Sequence, residues 1–134
     1  MIVAKDESLS IKTSEDVVRV RQVVRAQAIA AGFGLVDQTK IVTAASEIAR
    51  NAIDYAGGGD VRIETLHNGT RCGVRLTFSD RGPGIADIGL ALTDGYTTGS
   101  GLGLGLGGAK RLSNEFAVDS KPGSGTRVTL ARWR

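Results

Sequence analysis

Ten of the chain's 19 glycines fall between positions 82 and 108, and three more stand together at 57–59. Glycine loses more backbone entropy on ordering than any other residue. Such density is therefore expected where a turn, a second backbone or a ligand must come close. The densest stretch is Gly99-Ser100-Gly101-Leu102-Gly103-Leu104-Gly105-Leu106-Gly107-Gly108. Glycines at alternate positions can turn successive amides inward as an anion-binding nest. The stretch runs into a helix start, whose free N–H groups also attract phosphate. A merely flexible loop would not interleave leucines, which have to be buried somewhere.

The rest of the composition narrows the setting. A chain of 134 residues is the size of one domain, read here as 1–134, and can bury a core without disulfides or metals. Its one cysteine, Cys72, cannot form an internal disulfide, which fits a reducing compartment. Lys5, Asp6 and Glu7 interrupt any secretory apolar run after Met1, and nothing approaches the roughly 20 apolar residues that span a bilayer. The expectation is a cytoplasmic protein with no membrane partner. The net charge of +3 is spread along the chain, and six aromatics are too few for a base-stacking platform, so nucleic acid is not an expected partner. Arg21 and Arg25 share one helix face, and the bland reading of that face is a solvated or protein-facing side.

Periodicity places the elements. Leu9 and Ile11 alternate with polar neighbours as a short edge strand. Thr13-Ser14-Glu15-Asp16 has the form of a capping box and should open a helix striped by Val17, Val20, Val24 and Ala28. Asp37 predicts the N-cap of a second helix over about 38–56, stopped by Gly57-Gly58-Gly59. Val61–Thr65 and Val74–Phe78 alternate as strands around a turn at His67-Asn68-Gly69-Thr70. A third helix is predicted over about 104–113, and a closing hairpin over 116–120 and 126–133. The order β-α-α-β-β-loop-α-β-β implies an α+β fold: a two-layer sandwich with a mixed, mostly antiparallel sheet and helices on one face.

Four short signals carry chemistry. Glu47 and Asn51 are four residues apart on the second helix, hence on one face, with Asp54 three further on. A carboxylate beside a carboxamide oxygen suits a hard cation and a positioned hydroxyl, and equally an ordinary solvated helix face. Asp80-Arg81-Gly82-Pro83-Gly84 follows a strand directly. The aspartate can accept a hydrogen bond from an exocyclic amine, and Gly82 and Gly84 would let the backbone meet a flat ring; the same residues also make an ordinary turn. The glycines of 99–108 are the third signal. The fourth, Gly123-Ser124-Gly125-Thr126, opens the last strand. Gly103, Gly105 and Gly108 match the dinucleotide spacing but lack the preceding strand, and Ala109-Lys110-Arg111 breaks a Walker A loop. One Cys and one His exclude a usual zinc site. His67, placed in a turn, makes a poor triad base.

Taken in order, Glu47-x-x-x-Asn51, Asp80-x-Gly82-x-Gly84, the 101–108 glycines and Gly123-x-Gly125-Thr126 resemble the GHKL (Bergerat-type) ATPase superfamily over roughly residues 46–128. Within it, the run from Asp94-Gly95-Tyr96-Thr97-Thr98 to Asn114-Glu115-Phe116, with Ala49-Arg50-Asn51 and Tyr55-Ala56-Gly57, resembles the short bacterial anti-sigma and switch serine/threonine kinases, most of all the RsbT type. The anti-sigma branch usually carries a His shortly after the Asn, where this chain has Asp54-Tyr55, a departure towards the switch branch.

The resemblance implies a set of roles. Asn51 is then the Mg2+ ligand, Glu47 the general base and Asp80 the adenine reader. Gly82 and Gly84 belong to the ring-binding loop, and residues 86–102 form a mobile lid. Gly101, Gly103, Gly105 and Gly107 wrap the phosphates, and Thr126 lies near the adenine. It also implies ATP and Mg2+ as cofactors and a STAS-domain antagonist protein as substrate, with a phosphatase or a sigma factor as a possible second partner. An anti-sigma factor that sequesters a sigma factor is the alternative function.

Overall fold

The computed structural model describes residues 1–84 and 105–134. The expected element order is present: β1 (Ile2–Ile11), α1 (Ser14–Ala30), α2 (Leu35–Ala56), β2 (Gly59–Asn68), β3 (Arg71–Asp80), α3 (Gly105–Arg111), β4 (Glu115–Ser120) and β5 (Thr126–Trp133). The strands form one five-stranded sheet in the order β1-β2-β3-β5-β4. Its four ladders are all antiparallel, with no parallel pair among the described strands.

α1 starts as its capping box requires. The Asp16 amide donates to Thr13 Oγ1 at 3.4 Å, and the Asp16 carboxylate accepts from the amides of Lys12 and Thr13 at 2.8 and 3.1 Å. These bonds, the Lys12 one first, hold the Asp16 carboxyl below the usual range, because they favour its charged form. α2 starts three residues earlier than expected. Gly34 is its N-cap and supplies no side-chain bond. Asp37 lies instead in the first turn, where its carboxylate is taken by Arg132 at 2.6 Å. At the other end Gly57, at φ +73°, and Gly58 return their amides to the carbonyls of Ile53 and Ala52.

β1 is a ten-residue edge strand, longer than the Leu9–Ile11 alternation suggests, with a register shift between Val3 and Lys5. The β2–β3 ladder runs to Asn68↔Arg71, so the turn shrinks to Gly69-Thr70 and His67 belongs to β2. Gly69 takes φ +64° at the first loop position, where a two-residue hairpin turn needs it.

α1 and α2 cover one face of the sheet. The core joins Val20, Val24 and Ala28 of α1, Ile41, Ala45, Ile48 and Ala49 of α2, and Val61, Ile63, Val74, Leu76, Phe78, Val128 and Leu130 from the strands. Leu106 and Ala109 bring α3 into the same core. Among the described residues no helix is long and apolar enough to cross a membrane.

One polar side chain is fully buried in this layer. Gln27 donates to the Ile63 carbonyl at 3.0 Å and to Glu7 Oε1 at 3.3 Å, and accepts from Thr65 Oγ1 at 2.9 Å. Gln27→Leu keeps the volume but leaves the Thr65 hydroxyl without its acceptor and the Ile63 carbonyl without this donor. It is expected to lower stability by about 2 kcal/mol, read as a fall in the denaturant midpoint at unchanged m-value.

Candidate functional site

The end of β3 brings four segments together. Asp80 is its last residue and is half-buried. Its Oδ1 accepts from the Gly82 amide at 2.9 Å and from the Thr126 amide at 3.2 Å. Among the described residues no donor reaches Oδ2. The carboxylate is therefore oriented by two main-chain donors, and its other oxygen is claimed by no described donor.

The glycines explain how the segments approach so closely. A Cβ on Gly82 would lie 2.5 Å from the Ala56 Cβ, in the last turn of α2. A Cβ on Gly84, at φ +76°, would collide with the Lys121 carbonyl oxygen, in the β4–β5 turn. The Gly123 amide donates to the Pro83 carbonyl at 2.7 Å, closing the 81–84 loop onto that turn. A Cβ on Gly125, at φ +79°, would collide with the Asp80 carbonyl oxygen, and one on Gly59 with that of Ser79. The sequence offered Gly82 and Gly84 a flat ring as neighbour. The structure adds a protein neighbour to each, independent of any ligand.

Thr126 completes this corner. Its amide reaches Asp80, and its hydroxyl lies 2.8 Å from Ser120 Oγ across the β4–β5 ladder. Because Gly82 seats on Ala56, the Asp80 loop is anchored to the C-terminal turn of α2. Asn51 stands five residues back, about 7.5 Å along the helix axis. Asn51 is half-buried and Glu47 exposed, one turn earlier on the same face. Neither side chain has a hydrogen-bond partner among the described residues.

Gly105 and Gly107 open α3. Gly101 and Gly103, and all of the 86–102 lid, lie outside the described residues. The structure thus assembles Asp80, Gly82, Gly84 and Thr126 in one corner, and places Glu47 and Asn51 on the helix that carries it. No described contact joins Gly105 or Gly107 to Asp80.

Among the described residues no three His, Cys, Asp or Glu side chains cluster to hold a metal. A magnesium ion usually leans on substrate phosphates and water with only one or two protein oxygens. The carboxamide of Asn51, unpartnered among the described residues, would fit that demand, and Asp80 Oδ2, reached by no described donor, would fit an amine. The sequence missed two further contributors. Gly59, taken only as a helix stop, is the backbone seat under Ser79 and Asp80. Arg132, near the end of the last strand, reaches Asp37 and the Leu112 carbonyl. A glycine run invites the first assignment; nothing local signals the second.

Similarity to known proteins follows the same residues. The family model described as histidine kinase-, DNA gyrase B-, and HSP90-like ATPase matches residues 36–134. The serine/threonine-protein kinase RsbT of Bacillus subtilis is 45% identical over 123 residues, covering 92% of either chain. A solved structure of RsbU and RsbW domains from Mycobacterium tuberculosis matches with a TM-score of 0.66 at 24% identity, over 98% of this chain but 33% of that one. The mycobacterial sensor histidine kinase MprB matches with a TM-score of 0.56 at 19% identity, over 96% and 97% of the two chains. At such identities the two structures support the fold alone.

The glycine contacts separate two kinds of substitution. A Cβ on Gly123 would meet nothing within 4 Å, so Gly123→Ala should cost only the left-handed backbone strain, about 1 kcal/mol. Gly125→Ala adds the collision with Asp80 and should cost at least twice as much in a denaturant titration. It should also speed hydrogen exchange at the Thr126 amide, which Gly123→Ala should leave protected.

Proposed function

The chain belongs to the histidine kinase-, DNA gyrase B-, and HSP90-like ATPase family, and from that premise we propose that it is an ATP-dependent serine/threonine protein kinase of a bacterial partner-switching module. Its substrate on this reading is a STAS-domain antagonist protein, with a phosphatase or sigma factor as second partner. The reading treats residues 1–134 as one ATP-binding kinase domain working in the cytoplasm. The observation that carries it is Asp80: a carboxylate whose Oδ1 is fixed by two amides and whose Oδ2 is left to accept from a ligand amine. The 45% identity to a serine/threonine-protein kinase along nearly the whole chain supports kinase over simple ATPase.

Each residue then has a task. Asp80 reads the exocyclic amine of adenine, and the 81–84 loop with Thr126 walls the ring. Asn51 holds Mg2+ through its side-chain oxygen. Gly105 and Gly107, with Gly101 and Gly103 before them, give the phosphates main-chain donors unobstructed by Cβ atoms. Bound Mg-ATP would supply the phosphoryl group, and its Mg2+ would offset part of the charge that develops there in the transition state. Glu47 accepts the proton of the substrate hydroxyl. Its exposed position suits a base that must meet a hydroxyl arriving on another protein.

Calorimetry with ATP, with and without Mg2+, tests the site. The wild type should bind, and Asp80→Asn should weaken binding about tenfold or more, the scale of a lost charged hydrogen bond. An asparagine can still accept from the Gly82 and Thr126 amides but turns an NH2 towards the adenine amine. Asn51→Ala should lose the magnesium dependence. Glu47→Gln should bind ATP like the wild type yet fail to transfer phosphate to a STAS-domain partner. A folded wild type that binds no nucleotide would sink the proposal. Binding without transfer to any STAS partner would leave a nucleotide-controlled binding module of the anti-sigma kind.

A further inference from the structure

Arg132 lies on β5, yet its guanidinium serves two helices. Nε and Nη2 donate to Asp37 Oδ1 on α2 at 3.1 and 2.6 Å. Nη1 donates at 2.9 Å to the carbonyl of Leu112, the residue that follows α3. The Arg132 side chain is only 13% exposed, while its Asp37 partner, at 36%, stays partly open to water. The strand around it is pinned as well. The Asn114 amide donates to the Ala131 carbonyl at 2.9 Å, and the Trp133 amide to Asn114 Oδ1 at 2.6 Å.

α3 has seven residues, too few to be stable by itself. Leu106 and Ala109 attach it to the core, but apolar contact has no direction and leaves a short helix free to slide or roll. The forked guanidinium is directional. It fixes the end of α3 against the first turn of α2, and α2 is the helix that carries Glu47 and Asn51.

We propose that Arg132 is a positioning residue for nucleotide phosphates: by bridging Asp37 and the Leu112 carbonyl it sets where α3 holds Gly105 and Gly107 relative to Asn51. The inference rests on the nucleotide site proposed above. It assigns Arg132 no contact with the nucleotide; its effect passes through α3. The effect should therefore grow with the number of phosphates, whereas Asp80 and its corner read the adenine end.

The experiment compares Kd values for ATP and AMP, by competition against a fluorescent ATP analogue, in the wild type, Arg132→Ala, Arg132→Lys and Asp37→Asn. Arg132→Ala should weaken ATP roughly fivefold or more, somewhat less than a direct charge-assisted hydrogen bond is worth because the effect is indirect, and leave AMP within twofold of the wild type. Arg132→Lys, which keeps the charge but cannot bridge both acceptors, should recover only part of the ATP affinity. Should Arg132→Ala fail to fold, Asp37→Asn and Arg132→Lys decide the matter, each with a smaller loss confined to ATP. Unchanged ATP affinity in the folded variants would overturn the inference. So would parallel losses of ATP and AMP, which mark a general loosening of the fold. A wild type that binds neither nucleotide overturns the nucleotide site as well, whereas a binding wild type with insensitive variants overturns this inference alone.

Discussion

Main chain meets main chain at the Asp80 end of the sheet at separations that a Cβ would forbid, and the candidate site depends on that approach. Gly59 lies against Ser79, Gly125 against Asp80, Gly84 against Lys121 and Gly82 against Ala56. Together these contacts hold the start of β2, the end of β3, the β4–β5 turn and the last turn of α2 as one unit. The Asp80 carboxylate is oriented as a result, since the Gly82 and Thr126 amides that bind Oδ1 belong to two of the segments so joined. An acceptor held this way needs little reorganisation when a ligand arrives, which favours both affinity and selectivity for the group it meets.

α2 connects that corner to the rest of the molecule. Alanines at 44, 45, 49 and 52 are buried on its inner side, and side chains so small let it lie close to the sheet. Glu47 and Asn51 stand off that packed side, exposed and half-buried. The C-terminal turn of the helix seats the Asp80 loop at Ala56, and its first turn receives Arg132 at Asp37. A single helix thus spans the Asp80 corner, the proposed magnesium ligand and the attachment of α3. Gln27 sits in the neighbouring α1 layer with its amide bonded to Ile63, Glu7 and Thr65, so its burial costs little.

Where the sequence was readable, the information was local. Thr13 and Asp16 bond to each other's main chain within four residues, and the capping box appears as read. The strand alternation of 61–65 and 74–78 sits inside the observed strands, and the closing hairpin falls within a residue of its expected bounds. The misplacements share one cause. Asp37 has the chemistry of an N-cap, but Arg132, 95 residues away, claims its carboxylate and the helix begins at Leu35 instead. His67 looked like turn because Asn68-Gly69 follows it, but pairing with Cys72 carries the ladder past it. β1 reaches back to Ile2 because β2 offers it a full-length partner, which alternation in β1 alone could not reveal.

The sequence by itself determined the order of the described elements, the α+β class and, through four spaced signals, the family. All of these depend on residue types at short spacings, which one chain read end to end displays. The tertiary structure decided that the described ladders are all antiparallel, that Gly59, Gly84 and Gly125 are held to glycine by neighbouring main chain and Gly82 by Ala56, and that among the described residues no donor reaches Asp80 Oδ2. It also decided that Arg132 joins α2 to α3. Those outcomes depend on which distant segments share space, and that is fixed only when the core closes and every buried donor must find its acceptor.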